Sequence, residues 1–406
     1  MIGGLIKSSS RIALVAVAGV AFGGVAAQAA DLGGDCCADL EERVAELEAT
    51  TARKGNRKVS LTVSGRVNQA VMFWSADEIP AANRGGNDQN GEGSNIYTGT
   101  NSQSISRFTF KGKAQINADW SAGYLMEFGV TGGEFADAAA QDTDQSASGI
   151  EVRHEALYIK SKTFGTMWLG QTSTAADGIT EISLGGGMGS GPDFSNETAN
   201  FLTTNGVDTF SDVGGGSQAG EGSRRNVVKY VSPTFAGFVF SGSAGEDDYW
   251  DAALRYAGEF GTIRVAAGVA YSSLTEGTGD GADTELGASA SISHVPTGIY
   301  LTGMYGIDED EADPAGQQEN STWYVEAGIG QKFLPVGKTT FWGMYGVSDT
   351  EEVNDGELTY YGVGFSQDID AAAMETYIYY KRFDAEIGET DVGSLDVLMA
   401  GAVIKF

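Results

Sequence analysis

The sequence predicts an all-β chain: a sixteen-stranded antiparallel transmembrane β-barrel with an inward-folded third outer loop and a short helix ahead of the first strand. Three observations carry this. From Val59 onward the apolar side alternates with the polar one, Val59, Leu61, Val63, Gly65 and Val67 against Ser60, Thr62, Ser64, Arg66 and Asn68. Sixteen such runs follow one another to the chain end, most of them long enough to cross a bilayer at a tilt, which takes about 9 to 11 residues. The connections between them alternate between tight turns and segments that are mostly longer, acidic and Gly-rich.

Residues 1–29 read as a secretory signal, with Lys7 and Arg11 at its positive start, an apolar run from Ile12 to Val25, and Ala27-Gln28-Ala29 fitting the small-x-small cleavage rule. Residues 30–58 read as an N-terminal periplasmic helical segment. The adjacent Cys36 and Cys37 allow either a bridge between neighbouring chains or two unpaired surface thiols. Asp39 to Arg53 reads as a helix with Leu40, Val44 and Leu47 on one seam, too short to stand alone. Two readings stand for it: three seams associating as a short stem, or an amphipathic lead into the barrel.

The barrel domain is placed at 59–406, with strands near 59–73, 105–116, 121–131, 151–161, 166–173, 224–232, 237–244, 248–258, 261–272, 283–294, 298–307, 321–333, 337–348, 357–367, 371–383 and 393–406. Lipid offers no partner to a backbone N–H or C=O, so an all-β chain can span it only as a closed barrel. Phe128, Trp168, Trp250, Tyr256, Trp323 and Tyr345, near strand ends, are expected to form the aromatic girdles.

The stretch Thr174 to Ser223 stands apart: fifty residues with Gly185-Gly186-Gly187, Gly214-Gly215-Gly216, seven acids and no Lys or Arg. So long a segment without regular structure, inside an ordered chain, reads as a functional loop. Placed in the bore, it would set Asp177, Glu181, Asp193 and Glu197 against a basic wall. Arg and Lys are disfavoured on the lipid face by roughly 2 to 4 kcal/mol at mid-depth, so alternation turns Arg66, Arg107, Lys111 and Lys113 inward. The same reasoning selects Arg225 over Arg224, together with Lys229, Arg255 and Arg264.

Two stretches resemble the general porins of Gram-negative outer membranes, most closely the alphaproteobacterial members. One is Arg224-Arg225-Asn226-Val227-Val228-Lys229-Tyr230-Val231-Ser232-Pro233-Thr234-Phe235-Ala236-Gly237-Phe238; the other is the end, Ala400-Gly401-Ala402-Val403-Ile404-Lys405-Phe406. With Phe164-Gly165-Thr166-Met167-Trp168-Leu169-Gly170, the resemblance covers the whole barrel. It implies a homotrimer in the outer membrane, in contact with lipid and lipopolysaccharide. It also implies that Phe406 is read by the barrel-assembly machinery and that the bore passes small hydrophilic solutes and ions by passive diffusion. The chain departs from the family pattern at Gly170-Gln171, where Gly-Arg is usual, at His154, where a wall Arg is usual, and in lacking Pro-Glu-Phe in the long loop.

A formal charge of -30 with no long basic run argues against a nucleic-acid partner. The acidic loop tips, such as Asp308-Glu309-Asp310-Glu311, read as solvated with weak calcium or magnesium binding, since none has the spacing of a dedicated calcium loop. No cofactor is expected. An enzyme would need a Ser-His arrangement, and neither His154 nor His294 has one, nor is there a Gly-x-Ser-x-Gly elbow. The alternatives are a channel specific for a sugar or an anion, suggested by Tyr300, Tyr324 and Trp342, and a structural or adhesive surface barrel. Net acidity suggests a mild cation preference.

Overall fold

The computed structural model describes residues 58–83, 93–130, 149–246, 248–274, 284–310, 318–353 and 355–406. The expected signal, Cys36, Cys37 and the helix expected over Asp39 to Arg53 lie outside them. The strands are β1 (Thr62–Ala76), β2 (Ser94–Gly99), β3 (Arg107–Gln115), β4 (Trp120–Val130), β5 (Ile150–Ser161), β6 (Gly165–Ser173), β7 (Arg224–Val231), β8 (Phe238–Gly245) and β9 (Trp250–Phe260). They continue with β10 (Ile263–Ser273), β11 (Thr284–His294), β12 (Ile299–Asp310), β13 (Gln318–Leu334), β14 (Gly337–Thr350), β15 (Gly356–Ile369), β16 (Met374–Ile387) and β17 (Thr390–Lys405).

Apart from β2 and β3, which both pair with β1, each strand pairs antiparallel with its neighbour in sequence, and β1 pairs with β17, so the sheet closes. The seventeen segments fill sixteen positions, because β2 and β3 both pair with β1, one along its outer half and one along its inner half. The expected strand near 105–116 is thus only the lower part of that position. Its upper part, β2, carries little alternation of its own and was not expected.

The closing seam continues past the last strand. Gly65 N–H donates to the Phe406 carbonyl at 2.8 Å and Phe406 N–H donates back to Gly65 at 3.0 Å. A Cβ on Gly65 would lie 2.6 Å from both the Arg107 carbonyl and the Phe406 ring, so glycine is required where the terminal ring crosses β1. The tight connections stay tight, as at 261–262 and 335–336, but two outer connections, 246–249 and 388–389, are as short as the turns at the other end.

The two faces separate as alternation demands. Leu157, Leu169, Leu301 and Val363 are exposed on the outside. Phe128, Trp250, Tyr256, Trp323 and Tyr345 also lie outside, paired with Phe108, Tyr271, Phe238 and one another at ring distances between 4.7 and 5.5 Å. Trp168 does not: it stands opposite the buried Lys229 and packs with Leu125 and Ala156 on the inner face. The girdle expectation for Trp168 is corrected on that register.

Putting a guanidinium on the lipid face tests the face assignment. Leu157→Arg, at a side chain 62% exposed in mid-strand, is expected to destabilise the barrel by about 2–4 kcal/mol. Urea unfolding in lipid vesicles reads it; an unchanged midpoint would place Leu157 on the inner face.

Candidate functional site

Residues 174–223 leave β6 and return to β7 after following the inner wall from β8 round to β17 and to Asn83 in the connection after β1. Irregular backbone has no ladder to satisfy it, so each buried N–H and C=O needs a wall partner. The wall supplies hydroxyls. Ala175 N–H donates to Ser243 Oγ at 3.0 Å, Ile182 to Ser289 Oγ at 3.2 Å, Leu184 to Ser291 Oγ at 3.0 Å and Ala219 to Thr322 Oγ1 at 3.0 Å. Ser348 Oγ donates to the Gly214 carbonyl at 2.8 Å, and Tyr360 Oη to Pro192 at 2.9 Å.

Apolar packing adds the second attachment. Ile179 and Ile182 bury against Ala253, Ala266 and Ala270 of β9 and β10. Phe194, Phe201, Phe210 and Val213 enter a larger cluster with Trp74, Tyr300, Tyr324, Tyr360, Tyr379 and Phe383. Two single helical turns lie among them, α1 (Ser195–Thr198) directly after Phe194 and α2 (Phe210–Val213), which carries Phe210 and Val213. The glycine run lets the loop lie flat on aromatic wall: a Cβ at Gly185 would meet the Tyr300 ring at 2.2 Å, and one at Gly189 the Tyr379 ring at 2.3 Å.

One buried ion pair completes the attachment. Lys381 Nζ of β16 lies 3.0 Å from both Glu197 carboxylate oxygens, with side chains 1% and 0% exposed, and Tyr379 Oη donates to the same carboxylate at 2.9 Å. Lys381 was not singled out in the sequence, although Tyr379, Lys381 and Phe383 alternate there. Asp193 is turned to a local task, accepting from Ser195 N–H at 2.9 Å and Asn196 Nδ2 at 2.6 Å ahead of α1. Glu221, also not singled out, accepts from Thr180 N–H at 2.9 Å and from Gly178 in the neck of the loop. Burial, then Glu181 and Asp177, raise its carboxyl well above the ordinary range.

The eight wall bases separate into groups. Lys229 and Arg255, 2% and 5% exposed, are buried in the loop neck. Arg255 donates to the Ala175 carbonyl at 2.6 Å and to Asp177 at 2.9 Å, and Lys229 to the Ser173 carbonyl. Arg225 faces inward and stacks 4.6 Å over Tyr249, while Arg224 is exposed. Arg264 pairs with Glu259 at 2.8 Å beside the 261–262 turn, far along the strand from the loop. Lys111 and Lys113 stay exposed on β3.

Arg66 and Arg107 stand directly opposite each other on β1 and β3. Glu127 of β4 lies 3.1 Å from Arg107 and 3.3 Å from Arg153. A bulge in β5, where Glu127 faces His154 and Phe128 faces Val152, leaves Arg153 as an extra residue, so that Arg153 and His154 both point inward. Strict alternation had hidden Arg153. Lys160, opposite the inward Ser121, also stays exposed on this side. The wall of β3–β5 is therefore basic and open, while that of β12–β17 is largely covered. Tyr300, Tyr324 and Trp342 face inward but lie in the buried cluster. Among the described residues, no group of three or more His, Cys, Asp or Glu side chains is placed to hold a metal ion.

Residues 12–388 match the family model described as Gram-negative porin. No curated protein sequence matches. An anion-selective porin from Comamonas acidovorans is similar in structure with a TM-score of 0.57 at 17% identity, covering 86% of this chain and 100% of its own. Salmonella typhi OmpF, in complex with daunomycin, gives 0.54 at 15% identity over 87% and 99%. The trimer form of Vibrio cholerae OmpT gives 0.53 at 16% over 86% and 99%.

Breaking the buried pair tests how the loop is held. Lys381→Met leaves Glu197 buried without its counter-charge and is expected to cost about 3–5 kcal/mol. Adding Glu197→Gln should recover much of that loss. Thermal unfolding and protease cutting within 174–223 read both; equal protection of wild type and Lys381→Met would mean the pair does not hold the loop.

Proposed function

The chain belongs to the Gram-negative porin family and forms a passive diffusion channel in the outer membrane, and from that premise we propose that the 174–223 loop sets both its size limit and its selectivity. The observation that carries this is the uneven cover of the lumen: the loop seals the β9–β17 wall and leaves the β3–β5 wall open. Solutes then pass between Arg66, Arg107 and Arg153 on one side and the half-buried Asp177 and Glu181 on the other. Opposed charges across a narrow aqueous path make a transverse field, which favours polar solutes that can align in it over apolar ones.

On this reading selectivity follows the few charges at the aperture, while the formal charge of -30 counts every acid in the chain, loop tips included. Weak divalent binding by those tips is compatible with it. Burial of the wall tyrosines beneath the loop weakens the case for a sugar-specific path. We also propose assembly as a homotrimer, supported by the trimer form of Vibrio cholerae OmpT.

Planar-bilayer recordings of purified protein test the channel, with discrete conducting steps as the expected result. Deleting the middle of 174–223 should raise the step size without unfolding the barrel; an unchanged step places the constriction elsewhere. Arg107→Gln with Arg153→Gln should shift the reversal potential toward cations. Lowering the pH should shift it toward anions, because the Glu221 carboxyl, raised by burial and then by Glu181 and Asp177, protonates at a higher pH than an ordinary carboxylate and removes negative charge beside them while the arginines stay charged. A reversal potential flat with pH would exclude the loop neck from the permeation path.

A further inference from the structure

The second barrel position is interrupted in a way that bears on the same aperture. Ala70 of β1 faces Gly99, but Arg66 faces Arg107, so four steps on β1 match eight on its partner and four extra residues are inserted. They are not extruded toward lipid. A 3-10 turn at Ser102–Ser104 forms there, with Asn101 accepting from Gln103 N–H at its start, and Thr100, Asn101, Ser104, Ile105 and Ser106 are all buried.

This turn touches the loop directly. Gln103 accepts from Gly189 N–H and donates to the Ser190 carbonyl, both at 2.5 Å. Ser104 Oγ accepts from Arg66. Behind the turn, Asn68 Nδ2 donates to the Ser104 carbonyl at 2.9 Å, Tyr377 Oη donates to Asn68 Oδ1 at 2.8 Å, and Asn101 Nδ2 donates to Tyr379 Oη at 3.1 Å. Tyr379 in turn holds Glu197, so one buried polar network joins the turn to the ion-paired anchor of the loop. A network satisfied at each of these groups fixes geometry more tightly than its separate bonds.

We infer that the Ser102–Ser104 turn is the second jaw of the constriction, in which Gln103 and Ser104 are positioning residues: Gln103 ties the loop to strand position two beside the closing seam, and Ser104 aims Arg66 at the aperture. The inference rests on the channel reading. It assigns control of pore size and selectivity to two uncharged residues outside the long loop. Gln103 suits the task because a primary amide both donates and accepts, matching the adjacent N–H of Gly189 and C=O of Ser190.

Gln103→Ala in the full-length protein is expected to raise single-channel conductance and to let larger sugars enter in liposome swelling. Gln103→Glu, which keeps the acceptor for Gly189 but loses the donor to Ser190, should fall between it and wild type. Ser104→Ala should move the reversal potential while leaving conductance near wild type, and Ser104→Thr should restore it. Wild-type conductance and exclusion limit in folded Gln103→Ala would overturn the role of Gln103. If that variant does not fold, the reversal potential of Ser104→Ala decides, and no change there overturns the inference. A wild-type protein that carries no current overturns the channel reading and this inference with it.

Discussion

The obligation to pair every buried backbone N–H and C=O governs both surfaces of this molecule. Outside, lipid offers no partner, so strands must bond to strands around a full circle, and the seam between β1 and β17 is where that circle is completed. The terminal residues take part in it: Gly65 and Phe406 exchange two hydrogen bonds, and the bare Cα of Gly65 accommodates the terminal ring. Inside, the same obligation falls on fifty residues of irregular loop. Serine and threonine on alternate positions of the wall meet it there, which is why the inner face of β8–β14 is hydroxylated where that of β3–β5 is charged.

A one-sided lumen follows from how the loop is held. Aromatic faces, a patch of alanines and one buried ion pair draw the loop onto the wall from β9 round to β17, and water is excluded beneath it. Whatever bore remains must then run along β3–β5. Exposure of Lys111, Lys113 and Lys160, against near-complete burial of Lys229 and Arg255, is the direct trace of that division. Charged groups thus serve two physical ends. Those under the loop fix backbone carbonyls or a single carboxylate in a dry setting, while on the open wall Lys111, Lys113 and Lys160 keep their hydration and Arg107 and Arg153 pair with Glu127.

Much of this could be read in the sequence, because a period of two is set by the strand itself. Every expected strand is found, with ends shifted by a few residues, and the inward set Arg66, Arg107 and Arg225 follows from parity alone. What parity misses are the places where register changes. The bulge that turns Arg153 inward beside His154, and the four residues inserted before Arg107, each need knowledge of the opposite strand, which a single run does not contain. The loop's position was legible from its length and place. Its means of attachment was not, since acidic loop residues suggested ionic contacts, whereas hydroxyls at Ser243, Ser289, Ser291 and Thr322 and wall carboxylates at Asp251 and Asp308 accept from the loop's backbone N–H groups. The repeated Ser-x-Ser spacing at Ser241, Ser243, Ser289 and Ser291 was the available signal.

The use of one buried ion pair between loop and wall, among the described residues, has its own logic. An ion pair removed from water recovers its desolvation cost only when its geometry is close and its remaining lone pairs are occupied. Lys381 and Glu197 meet that condition, with both carboxylate oxygens at 3.0 Å and a tyrosine hydroxyl on one of them. Repeating such pairs along the whole loop would add a desolvation penalty at each site, while apolar contact and neutral hydrogen bonds do not. A single pair suffices to fix which residue of the loop meets which strand, and apolar contacts and neutral hydrogen bonds hold the rest of it. That division leaves Arg66, Arg107 and Arg153 uncommitted to the loop's backbone, and therefore able to face what passes through the bore.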